Sequence, residues 1–206
     1  MNRLLGLAGA LFLSGCATGM NEEQCAGADW YALGERDGLY GETLEKLDER
    51  AARCGAFGLP ADIEAYRAGR ERGLRRYCTP DAGYDAGRSG RPYRGVCPPA
   101  AEGPFLEEYH IGLRLYQLDR AHQAAIAALD RAVSTLESRR HSLRRAREKL
   151  RSEDLSDEER SKLQREVERH RREIDRIERD LPRLSAEIDS AFGRLEDYRA
   201  FLRRRR

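Results

Sequence analysis

A tyrosine–glycine phrase recurs along the first half of this chain and limits what that half can become. Tyr31-Ala-Leu-Gly34-Glu-Arg-Asp-Gly38 and Tyr66-Arg-Ala-Gly69-Arg-Glu-Arg-Gly73 both read Tyr-x-x-Gly-x-x-x-Gly, and degenerate copies begin at Tyr84 and Tyr109. In a helix, Tyr66, Gly69, Gly73 and Tyr77 fall on one face. A glycine inside a helix costs about 1 kcal/mol relative to alanine, so a second helix or a ligand must offset it. Two readings fit. The first is close helix–helix packing, with bare backbone as the contact and tyrosines as walls. The second is a groove for an extended ligand, a glycan strand or a peptide, lined by Trp30, Tyr31, Gly34, Gly38, Tyr66, Gly69, Gly73 and Tyr77. Trp30, the only tryptophan, serves as a core anchor in the first and a sugar platform in the second.

The N-terminus reads as an address. Arg3 supplies a positive charge, and Leu4 to Leu13 form an apolar run of about ten residues, the length of a secretory signal. Leu13-Ser14-Gly15-Cys16 then resembles the bacterial lipobox. The resemblance implies cleavage after residue 15 and acylation of Cys16, so the only cofactor-like group expected is the covalent lipid. Residues 16–24 form the lipidated linker. Ala17 stands where an aspartate would signal retention in the inner membrane, which makes the outer membrane the expected location, facing the periplasm. Multiple acyl chains anchor stably where one does not.

Four cysteines remain: Cys25, Cys54, Cys78 and Cys97. An even count in an oxidising compartment predicts two disulfides, for which three connectivities exist. The local pairs, Cys25–Cys54 and Cys78–Cys97, are favoured. Cys25–Cys54 clamps a helical hairpin with helices near 28–40 and 43–54; Cys78–Cys97 closes a glycine-rich stretch between Thr79 and Pro99. That stretch, full of Gly and Pro, predicts an ordered loop or short helical turn. With no Cys-x-x-Cys and no histidine between Cys25 and Cys97, a metal site is not expected. The domain so defined covers residues 25–101.

Asp29-Trp30-Tyr31, Gly34, Asp37-Gly38, Tyr66-x-x-Gly69-x-x-x-Gly73-Leu74, Tyr77-Cys78, Gly83, Gly87, Gly90, Tyr93, Val96-Cys97-Pro98, Phe105, Tyr109 and Gly112 together resemble the signature of a bacterial lipoprotein family, domain of unknown function 2799, over about residues 25–118. The resemblance implies a lipid anchor and disulfides. It brings no activity, cofactor or catalytic residue.

Residues 102–206 carry a different pattern. Leu129, Leu136, Leu143 and Leu150 repeat every seven residues. Leu163, Val167, His170, Ile174, Ile177, Leu181, Leu184, Ile188, Ala191, Leu195, Tyr198 and Leu202 follow in steps of four and three. That period predicts a coiled coil. Ser156 and Glu159 form a capping-box pair after a turn at about 151–157, so the two arms become antiparallel neighbours. Pro182 falls inside the second arm without breaking its phase, which predicts a kink. The fold expected is therefore mainly α: a small disulfide-stapled helical and loop domain followed by a long antiparallel coiled-coil hairpin.

Charged residues make up 36% of the chain, but the net charge is only +2, which does not favour a nucleic-acid binder. No nucleophile motif accompanies the histidines. Asp29, Glu35 and Asp37 supply carboxylates for an enzymatic reading based on sugar hydrolysis, the weaker expectation. The stronger one is a non-enzymatic envelope lipoprotein that binds an envelope protein partner, or itself, through the coil. A glycan-binding or glycan-cleaving module in the Tyr/Gly groove is the alternative.

Overall fold

The computed structural model describes residues 20–205. Cys16 and the apolar run before it lie outside the described residues. Among the described residues there are helices and no strands: α1 Glu22–Ala26, α2 Trp30–Leu39, α3 Glu45–Gly55, α4 Ile63–Tyr77, α5 Pro80–Arg88, α6 Pro99–Lys149 and α7 Asp157–Arg205. No described helix is long and apolar enough to cross a membrane. Residues 20–82 and 93–103 form one compact unit; 83–92 and 104–205 form a second.

Side-chain caps set the starts of α1, α2 and α4. Asn21 and Gln24 form a capping box on α1, and Asp29 and Asp62 each accept a backbone N–H at the start of α2 and α4, from Ala32 (2.9 Å) and Ala65 (2.9 Å). The Cys25–Cys54 disulfide ties α1 to the end of α3, with Cα atoms 5.4 Å apart, and Cys78–Cys97 ties the end of α4 to the segment before α6, at 5.5 Å. The pairing is the local one. A loop of this size stabilises by about 3 kcal/mol in the chain-entropy account. Cys25, Trp30, Leu47, Cys54 and Tyr66 make the core cluster, with Leu33, Leu59 and Ala65 packed against it.

Helices α2 and α4 run parallel and touch backbone to backbone. Gly34 faces the Tyr66 carbonyl, Gly38 faces that of Arg70, Gly69 faces that of Tyr31 and Gly73 faces that of Glu35. A methyl group on any of the four would come within 2.7–2.9 Å of further opposing backbone atoms and overlap the carbonyl oxygen outright. The hydrogen that stands in its place points at that oxygen, a weak Cα–H···O contact. The contacts are reciprocal, so each glycine of one phrase meets the other phrase.

The second unit repeats the device. Gly83 faces the Phe105 carbonyl, Gly87 that of Tyr109 and Gly112 that of Tyr84. Gly41 and Gly90 end the first helix of each pair at φ 67° and 68°, a left-handed cap that glycine adopts without strain. The following N–H reaches back along the helix in both: Glu42 N to Asp37 O at 2.9 Å and Arg91 N to Ala86 O at 3.0 Å. Each capping glycine lies under a tyrosine ring, Tyr77 and Tyr116. The repeat is thus in phase on its glycines. Gly83 and Gly87 take the places of Gly34 and Gly38, and Gly112 takes that of Gly73. The tyrosine-led phrases at 84 and 109 are out of register with those at 31 and 66. Glu108 stands where a fourth glycine would be and pairs with Arg205 instead, Nη1 to Oε2 at 2.8 Å.

Two expectations for residues 79–104 are refined. Residues 80–88 form a two-turn helix despite their glycines, because Pro80 suits a first helical position, Thr79 Oγ1 accepts from Ala82 N at 3.3 Å and the glycines are packed. The long helix starts at Pro99 and carries Pro104 within its first turns.

Helices α6 and α7 form a hairpin in the second unit. Residues late in α6 meet residues early in α7, and the reverse. Arg139 Nε lies 2.9 Å from Glu173, Arg140 Nη2 2.6 Å from Glu178, and the Tyr198 hydroxyl donates to Ile111 O at 3.0 Å. The turn is held as its sequence predicts: Ser156 N donates to Glu159 Oε2 (3.0 Å) and Glu159 N to Ser156 Oγ (3.3 Å). Arg160 adds a bond to the Leu150 carbonyl at 3.3 Å.

Gly34→Ala should lower stability by about 3 kcal/mol or more, because the two backbones must separate. Gly193→Ala, at a position in α7 with no atom near the added methyl, should raise it by about 1 kcal/mol. Urea unfolding of the two variants checks both signs.

Candidate functional site

The glycine faces of α2 and α4 are covered by each other, so the residues read as a groove are a helix interface. Gly34, Gly38, Gly69 and Gly73 touch opposing backbone; Tyr66 and Tyr77 are buried, Trp30 is buried in the core cluster, and Tyr31 is partly exposed at 38%. Trp30 has no open ring face for a sugar to stack on.

The chemistry at this interface is a buried polar network that no spacing in the sequence picks out. Asp37, 4% exposed, accepts a bidentate pair from Arg50 of α3, Nε at 3.0 Å and Nη2 at 2.9 Å. The Tyr66 hydroxyl donates to Asp37 Oδ2 at 2.7 Å. Arg70 closes the far side by donating to the Glu42 carbonyl at 3.2 Å and 2.8 Å. Burial, and then the bond to Asp37, push the Tyr66 phenol well above its usual range. Burial pulls Arg70 down.

The second unit shows what the same geometry looks like without charge. Ala86 replaces Asp37 and Phe105 replaces Tyr66, both fully buried. Tyr109 replaces Arg70, and its hydroxyl donates to the Arg91 carbonyl at 3.0 Å, as Arg70 does to that of Glu42. The glycine contact therefore accepts either a hydrogen-bonded carboxylate–phenol pair or an apolar pair. The difference lies in α3: Arg50 lies on a helix inserted between α2 and α4, and Asp37 is its anchor.

The three carboxylates of the sugar-hydrolysis reading have separate tasks. Asp29 caps α2, Glu35 pairs with Arg72 at 2.9 Å and Asp37 holds Arg50 and Tyr66. Sequence inspection noted Asp37 as an acid but missed Arg50, Arg70 and the Glu42 carbonyl as its company. The available signal was the doubled Gly-x-x-x-Gly-x-x-Gly at 34–41 and 83–90. Aligned on it, Asp37 falls opposite Ala86. Among the described residues no group of three His, Cys, Asp or Glu side chains is placed to hold a metal ion.

In the hairpin, a shallow cleft lies between Ala121, Ala124, Ala125 and Ala128 of α6 and Ala186 and Ala191 of α7, with Arg183, Glu187, Ser190 and Arg194 also lining it. His170 is buried on the α7 seam, with Glu166 at 3.5 Å and Glu173 at 3.7 Å.

These elements define a helical protein with two disulfides, two glycine-zipped helix pairs and a long helical hairpin. Residues 29–114 match the family described as Protein of unknown function (DUF2799), and that stretch is a domain of unknown function 2799. The matched stretch begins at the cap of α2 and ends just past Gly112, so it contains both glycine pairs. No curated protein matches the chain. No solved structure matches it either.

Asp37→Ala should cost about 3–5 kcal/mol, since it strands Arg50 and the Tyr66 hydroxyl. Tyr66→Phe should cost about 1.5–3 kcal/mol. The double variant, which recreates the Ala86/Phe105 pair, should cost less than the sum by at least about 1 kcal/mol; additive losses in urea melts would refute the coupling. A second test uses pH. Unfolded tyrosine ionises near 10, and Tyr66 in the fold ionises higher. Its contribution is fully present below about pH 10 and is lost as pH rises towards the folded value. Between about pH 10 and 11 wild type should lose stability faster than Tyr66→Phe, followed by thermal melts.

Proposed function

We propose that this protein is a non-enzymatic lipoprotein of the cell envelope, held in the outer membrane by acylated Cys16 and facing the periplasm. Helices α6 and α7 act as an antiparallel coiled coil that binds an envelope protein partner, and the glycine-zipped domain is its base. The observation that supports this reading is the incomplete cover of the hairpin seam. On α7, only Val167, His170, Ile174, Ala191 and Leu195 are buried, while the seam leucines and isoleucines between Ile174 and Ala191 are half-exposed. On α6 nothing is buried between Leu118 and Leu136. Val133, Phe192 and Phe201 are exposed at 39%, 49% and 43%. Two helices alone bury one stripe each, and an apolar stripe left half-open along a helix is a common docking feature. The ion pairs beside it are mostly exposed and contribute about 0–1 kcal/mol each, so they set register more than strength.

In-cell crosslinking and affinity capture test this reading. Wild type should capture a defined envelope protein. Val133→Glu together with Phe201→Glu should lose it while the far-UV circular dichroism is unchanged. Capture that survives these changes would move the binding surface off the hairpin. In parallel, Cys16→Ser should shift the protein from the membrane to the soluble fraction and abolish incorporation of labelled palmitate.

A further inference from the structure

The Cys78–Cys97 disulfide closes an excursion of the chain. Both cysteines belong to the first unit, and between them residues 83–92 belong to the second. That excursion carries Gly83 and Gly87, which lie against the Phe105 and Tyr109 carbonyls of α6. Closing its two ends covalently removes much of the entropy cost of holding it in place.

The two disulfides differ in what surrounds them. Cys25 and Cys54 sit in the core cluster with Trp30, Leu47 and Tyr66, and Cys54 lies within α3. Cys97 sits in an irregular stretch between Pro92 and Pro98, two residues that lack an N–H. Side chains tether that stretch. The Tyr93 hydroxyl accepts from Cys97 N at 3.0 Å and donates to Glu102 Oε1 at 2.9 Å, and Arg94 pairs with Glu42, both side chains part-exposed. All four cysteines are buried, so a reductant gains access only through local opening. Opening is easiest where backbone is irregular and the holding contacts are surface side chains, and hardest in a helix packed in the core.

We propose that Cys78–Cys97 is a redox latch: a protein dithiol of the thioredoxin-like class reduces it selectively, releasing residues 83–97 while Cys25–Cys54 keeps the α2–α4 core closed. The attacking thiolate forms a mixed disulfide with one cysteine and expels the other as a thiolate. The second thiol of the reductant then displaces the first cysteine. Two electrons pass to the protein, which ends with two thiols, and the reductant ends as a disulfide.

The test is a reduction time course on the purified full chain with a reduced thioredoxin-type protein, trapped by alkylation and read by peptide mass. Cys78 and Cys97 should be alkylated at least tenfold faster than Cys25 and Cys54. Trp30 fluorescence, which reports the core around Cys25–Cys54, should stay unchanged during the first phase. Equal rates, a reversed order, or a Trp30 change in the first phase would overturn the latch. The variant Cys78→Ser/Cys97→Ser should retain native Trp30 emission and show at least tenfold faster amide exchange across 83–97. Failure of that variant to fold, or unchanged exchange, would also overturn it, because an open latch must leave the core standing.

Discussion

The fold of the first half depends on two backbones meeting with nothing between them. Where α2 and α4 cross, four glycines each present a hydrogen to a carbonyl oxygen of the opposite helix. The approach is closer than any side chain permits, and it fixes the pairing as parallel and in a single register. Everything around it follows. The capping glycines turn the chain at a fixed point, tyrosine rings close over them, and the disulfides staple the ends. The loss of helix propensity at the glycines is offset only because the contact is reciprocal.

The duplication acts as an internal control. One copy of the contact holds a charged, fully hydrogen-bonded network, Asp37 with Arg50 and Tyr66, and the other holds Ala86 and Phe105. The same backbone geometry tolerates both. The network therefore answers to α3 rather than to the glycine contact. An isolated buried carboxylate is costly, and Asp37 is tolerable because every one of its bonds is made within the fold.

The long hairpin follows a separate logic. Its helices are joined by a capped turn, bury a few apolar residues of α7, and carry ion pairs on their exposed flanks. The glycine pairs meet backbone to backbone, whereas the hairpin's middle holds a cleft lined by alanines together with Arg183, Glu187, Ser190 and Arg194.

Helix content, the cap at Ser156 and the hairpin turn were legible in the sequence, because each depends on neighbours within a few residues. The disulfide pairing was favoured because it joins cysteines adjacent in order along the chain, 29 and 19 residues apart. The phase of the glycine repeat was misread from its tyrosines. A tyrosine's place on a helix face says little about which carbonyl the next glycine will meet. Asp37 as a shared anchor, Trp30 as core and the covering of the Tyr/Gly surface were decided by tertiary structure alone. Each depends on residues brought together from distant parts of the chain, Asp37 with Arg50 and Tyr66 above all. A one-dimensional pattern fixes which face of a helix a residue occupies, and only packing decides whether another helix or open space lies opposite.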